Sequence, residues 1–192
     1  MSDTAAMQGI FTNDDKCSQI DFNLPVNTVD SIEVYIAFTS PKGFYMVEDH
    51  YNEFISGKSN ILEFAPANTT VNNWSKIFTV ISIVGKSISS EDLINFYSKK
   101  YANPEFETFH VISDTKKYDN YSVSTALIQY ALEGQNEIIY AQYFSGPRDA
   151  AGVQYTERLS NSLTSEEFDI KVGEMQNFFD GDVLIEVLEC SY

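Results

Sequence analysis

The chain has 192 residues, 43% hydrophobic and 14% aromatic, and its 28 acidic against 12 basic side chains give a formal charge of −16. That is enough apolar material to offset chain entropy, so a disordered chain is excluded and one domain of ordinary size is expected. The acidity excludes a phosphate backbone or an anionic lipid surface as partner, because the densest basic pairs are only Lys99-Lys100 and Lys116-Lys117.

Residues 1–30 are polar and rich in Asn, Asp and Ser; they read as a tail in which Ile20, Phe22 and Leu24 alternate as a candidate first strand. Residues 31–192 read as a single α+β domain. Residues 32–38 form a strand ended by the turn residues Pro41 and Gly43, and residues 44–55 carry several aromatics before a turn at Ser56–Asn60. A short strand follows over 61–65 and stops at Pro66. The segment from Trp74 to Val84 sends Ile77, Thr79, Ile81 and Ile83 one way and Phe78, Val80 and Val84 the other; apolar on both faces, it belongs in the middle of a sheet.

A helix follows, capped by Ser89 or Ser90, with Glu91 and Asp92 in its first turn and a stripe of Leu93, Ile94, Tyr97 and Tyr101 up to a stop at Pro104. A strand near 106–113 runs into a polar break at Lys116–Asn120. Two long strands, 122–132 and 137–145, flank the hairpin signal Glu133–Asn136, and a second turn over 146–152 returns the chain as a strand at 153–158. Thr164-Ser-Glu-Glu167 is a capping box opening a helix with Phe168, Val172, Met175 and Phe179 on one face, ended by Gly181. A last strand is expected over 182–189. Strands and helices do not alternate regularly, so the expected fold is a mainly antiparallel sheet with about two helices packed on it.

No stretch approaches the roughly 20 apolar residues that span a bilayer, so no integral membrane segment is expected. The first residues have no basic n-region or apolar h-region, which leaves a cytoplasmic protein or one whose signal peptide has been removed. Cys17 and Cys190 sit near opposite ends and are compatible with a long-range disulfide or two free thiols.

The chain contains none of the HExxH, CxxC, GxSxG, P-loop or GxGxxG patterns. No catalytic residue, metal site or cofactor is therefore assigned. Asp180-Gly-Asp182 with Glu186 lacks the ligand ladder of a calcium loop and reads as a turn. Asn68, Asn73 and Asn120 each open a glycosylation sequon, a pattern short enough to recur by chance. His50, between Glu48, Asp49 and Glu53, is a candidate pH-sensitive group. Trp74, the sole tryptophan, is a candidate aromatic platform or core anchor, and Arg158 is conspicuous because basic residues are scarce.

Glu63-Phe-Ala-Pro66 followed by Asn73-Trp-Ser and Phe78-Thr-Val80, then Glu137-Ile-Ile-Tyr140 and Val153-Gln-Tyr-Thr-Glu-Arg158, resembles a pattern of small uncharacterised bacterial secreted or periplasmic proteins, over roughly residues 60–190. The resemblance implies export and brings no activity with it. The element order is also similar to PsbP-like domains, antiparallel sheets flanked by helices, which serve mainly as binding or assembly modules. The resulting expectation is a non-enzymatic binding or assembly domain of the bacterial envelope or secreted space. It would hold an unidentified protein or small ligand near Trp74, Tyr155 and Arg158, with His50 as a further candidate contact. Two alternatives are a hydrolase-type enzyme whose site gathers distant residues such as His50, His110 and carboxylates, and a host-directed bacterial effector. Neither ligand nor oligomeric state is written in the sequence.

Overall fold

The computed structural model describes residues 32–38, 41–54, 57–70, 72–84, 86–101, 108–132, 135–147, 150–161, 163–182 and 185–191. In chain order the strands are β1 (Ile32–Phe38), β2 (Phe44–Phe54), β3 (Gly57–Pro66), β4 (Lys76–Val84), β5 (Thr108–Lys117), β6 (Ser122–Leu132), β7 (Gln135–Ser145), β8 (Ala150–Leu159) and β9 (Ile185–Ser191). Helix α1 (Ser90–Tyr101) lies between β4 and β5, and α2 (Ser165–Asp182) between β8 and β9.

Strand β4 buries Phe78 and Val80 on one side and Ile77 and Ile81 on the other, and such a strand needs neighbours on both edges. It has them: the seven-stranded antiparallel sheet runs β2-β3-β4-β8-β7-β6-β5, with β4 between β3 and β8. The expected fold class, an antiparallel sheet carrying two helices, is the observed one.

The two helices cover opposite faces. On one face Phe64, Phe78, Tyr155, Tyr140 and Leu127 stand in a single cross-strand row, and α2 lays Met175 and Phe179 on it with Phe168, Val172 and Phe178 beside them. The stripe read from the sequence is thus the buried face of this helix. Its start is the expected capping box: the Thr164 backbone N–H and hydroxyl both donate to Glu167 Oε2 at 2.8 Å, and the Glu167 N–H returns to Thr164 Oγ1 at 3.3 Å.

On the other face α1 packs Leu93 and Ile94 against Ala126, Ile128, Ile139, Ala141 and Tyr143. Ser89 is its cap, accepting from the Asp92 N–H at 2.9 Å and donating to the Asp92 carboxylate at 2.7 Å. Ser90, fully buried, joins a network of hydroxyls on the sheet: its Oγ lies 2.8 Å from that of Ser122 and 2.7 Å from that of Ser124, while its N–H donates to Ser145 Oγ at 3.0 Å.

Several boundaries differ from the sequence reading. Residues 44–54 are a full strand paired with β3, which begins at Gly57, so the turn expected over 56–60 is mostly ladder. The polar break expected at Lys116 is strand up to Lys117, because β5 is a sheet edge where charged side chains reach water. Strands β7 and β8 start earlier than expected, at Gln135 and Ala150. The last strand, set at 182–189 in the sequence, is β9 at Ile185–Ser191; among the described residues it pairs with β1 in a separate two-stranded sheet, and Asp180-Gly-Asp182 is the end of α2. The tail strand, Cys17 and the stop at Pro104 lie outside the described residues. No helix among the described residues is long and apolar enough to cross a membrane.

Candidate functional site

Strand β3 ends at Pro66, and the connection to β4 is built from tight turns. The Thr69 N–H donates to Pro66 O at 3.2 Å, Asn68 takes a positive φ of 64°, and Asn73 Oδ1 accepts from both the N–H and the hydroxyl of Thr70 at 2.6 and 3.0 Å. Asn tolerates this left-handed conformation better than most residues. The loop delivers Trp74 to the end of the sheet beside Arg158 of β8.

Arg158 is held from four directions. Its N–H donates to Ser75 O at 2.8 Å, its Nε to Glu137 Oε1 at 3.0 Å and its Nη1 to Trp74 O at 3.2 Å, and its guanidinium carbon lies 3.8 Å from the centre of the Trp74 ring. Glu137 is buried and directly opposite Arg158 in the β7–β8 ladder. A planar guanidinium suits such a position, stacking on an aromatic face while its edge serves a carboxylate. Trp74 is half-buried and the Arg158 side chain is 30% exposed, so the stacked pair is anchored from beneath and reaches the surface.

The remaining predicted residues are elsewhere. Tyr155 is three positions from Arg158 on the same strand and so points to the opposite face. It is buried under α2, stacks on Phe178 with centroids 4.1 Å apart, and donates to Glu157 Oε1 at 2.7 Å. It is a core residue, and the sequence grouping of Tyr155 with Arg158 on one surface is corrected by the alternation of the strand. His50 lies on edge strand β2, its side chain 52% exposed and its Nε2 2.6 Å from Glu48 Oε1. Trp74 and Arg158 alone are brought together.

His110 belongs to β5, the other edge of the seven-stranded sheet from His50. Six inter-strand spacings separate those edges, about 29 Å at the usual spacing, too far for one site to use both histidines. Among the described residues no three His, Cys, Asp or Glu side chains converge as metal ligands.

Two groups were missed in the sequence. One is Glu137, whose place opposite Arg158 depends on the β7–β8 register. The other is a charged cluster under α2: Glu157, buried, lies 3.1 Å from Lys76 Nζ and 2.6 Å from Lys171 Nζ, and Lys171 also reaches Glu174 at 2.9 Å. Burial pushes the Glu157 carboxyl up, but the hydrogen bonds from Lys171, Tyr155 and Lys76 outweigh it and hold the group below the usual carboxylate range. This cluster fastens the helix to the sheet.

No family model matches the chain, and no curated protein matches it, so the bacterial secreted family suggested by the sequence pattern finds no support there. Among solved structures, the solution structure of cyanobacterial PsbP (CyanoP) from Synechocystis sp. PCC 6803 is similar to this chain, with a TM-score of 0.48 and 11% identity over 88% of this chain and 99% of that one.

Proposed function

We propose that the protein is a non-enzymatic binding or assembly domain whose contact surface is the Trp74–Arg158 end of the sheet. One observation carries this reading: the only tryptophan and one of the two arginines of the chain are stacked at 3.8 Å and fixed from below by buried Glu137. Trp and Arg are the residues on which binding energy concentrates at interfaces. A platform held rigid before contact loses little conformational freedom when a partner arrives. The partner is a protein or small ligand that covers the indole and shares the outer edge of the guanidinium.

Work in the bacterial envelope or secreted space is part of the same proposal and rests on the sequence resemblance; fractionation of producing cells tests it. Binding is tested by comparing wild type with Trp74→Ala for partners retained on the immobilised protein. The reading expects Trp74→Ala to lose them while its circular dichroism matches wild type. Equal retention overturns it.

A further inference from the structure

Strand alternation puts Arg158, Thr156 and Gln154 of β8 on one face of the sheet, and the ladder sets Thr79 of β4 directly opposite Gln154. The row starts at the Trp74–Arg158 stack and runs inward for about 13 Å, at roughly 3.3 Å per residue. It passes beside Ile139 and Ala141 of β7, which α1 covers. Thr156, Thr79 and Gln154 are 6%, 8% and 5% exposed. Gln154 gives its Nε2 to the Tyr143 hydroxyl at 2.6 Å. Among the described residues its side-chain carbonyl accepts no hydrogen bond, and neither threonine hydroxyl has a partner. All three oxygens still touch solvent: the sealed, unpartnered side-chain oxygen among the described residues is Asn60 Oδ1, on β3. Buried polar groups are nearly always hydrogen-bonded, and valine would suit a strand at both threonine positions. Packing therefore gives no reason for this row of hydroxyls.

From the row we infer that the platform binds a neutral oligosaccharide, an assignment that rests on the platform reading above. One sugar lies against the indole and the guanidinium, and its neighbour reaches down the row to Thr156, Gln154 and Thr79. Sugar and threonine hydroxyls each donate and accept, and the Gln154 carbonyl accepts, so the two sets complement one another. The indole offers the apolar surface that the C–H face of a sugar covers. An anion is disfavoured, because Arg158 is already paired with Glu137 and Glu63 of β3 stands opposite Thr79, leaving a carboxylate near each end of the row. An extended peptide is disfavoured too: β4 and β8 are paired on both edges and offer it no backbone ladder.

The probes are maltose, cellobiose, lactose and N,N′-diacetylchitobiose, with digalacturonate as the anionic control, each titrated into the full chain at millimolar concentration. Binding is read from the fluorescence of Trp74, the one tryptophan of the chain, and from amide NMR shifts. The inference expects at least one neutral disaccharide to shift Trp74 emission and the amides of Thr79, Gln154 and Thr156 saturably, and digalacturonate to leave them unchanged. Thr156→Val and Thr79→Val should each weaken that binding at least tenfold and keep the wild-type thermal midpoint, because no bond within the protein is lost. Absence of any saturable shift, or valine variants that bind as wild type does, overturns the inference. The platform reading keeps its own test: if a partner retained by wild type is lost by Trp74→Ala while no saccharide binds, the platform stands and the saccharide assignment alone fails.

Discussion

Lys171 Nζ stands 2.6 Å from Glu157 Oε2, so α2 is tied by charge to the same sheet face that its apolar stripe covers. Glu157 is held below its ordinary value of 4.5, which means the folded state favours the carboxylate. Its stabilisation is therefore complete above the unfolded value and is lost as pH falls through the lower folded one. Lys171 behaves in the opposite sense: burial alone would lower it, but Glu157 and Glu174 raise it above 10.5, so its contribution is present below that value and lost as pH rises past it. Urea midpoints should form a plateau between these limits. In Lys171→Met the alkaline decline due to this group should vanish and the acid decline due to Glu157 should shrink, because its folded value moves back toward the unfolded one.

Arg158→Ala removes the stacking on Trp74 and strips the cation from buried Glu137. The expected loss is about 2 kcal/mol, below that of a fully buried pair because Arg158 is partly exposed. Arg158→Lys should recover less than half of it, since an ammonium cannot stack and bridge together. Urea denaturation of the two variants checks both statements.

Gly152 lies under the Tyr143 ring: a Cβ there would stand 2.6 Å from Cδ1 and 2.9 Å from Cε1. Tyr143 is 1% exposed and its hydroxyl accepts from Gln154 Nε2 at 2.6 Å, so the ring has no open space to enter. Gly152→Ala should cost about 1–3 kcal/mol, read as a lower thermal midpoint with altered tyrosine near-ultraviolet dichroism.

The seat of α1 is tested by Ser124→Ala. Fully buried Ser124 shares contacts at 2.7 Å with Ser90 and 2.8 Å with Thr115. Its loss should destabilise by about 1–2 kcal/mol through the unpaired hydroxyls left behind. Hydrogen exchange should rise first in α1 and leave α2 protected.

Much of the local structure was legible because it is encoded locally. The Thr164–Glu167 box, the alternation of β4 and the hairpin between β6 and β7 depend on residues close in sequence. The pairing of β4 with β8 does not: apolar character on both faces says that β4 is interior but not which strand adjoins it. The site suffered in the same way. Trp74 and Arg158 were recognisable as unusual residues, yet Glu137, which completes their arrangement, is defined only by the β7–β8 register. Tyr155 was misplaced for a simpler reason, since an odd offset along a strand sends it to the core under α2.

The central claim is that the Trp74–Arg158 end of the sheet touches a partner. The direct measurement is photo-crosslinking in cells that produce the protein, with a benzophenone side chain at exposed Asn72 beside the platform and, for comparison, at exposed Tyr118 in the turn between β5 and β6. A discrete adduct is expected from position 72 that disappears in a folded Arg158→Met background, and none from position 118. Adducts of equal yield from both positions, or an adduct at 72 indifferent to Arg158→Met, would contradict it.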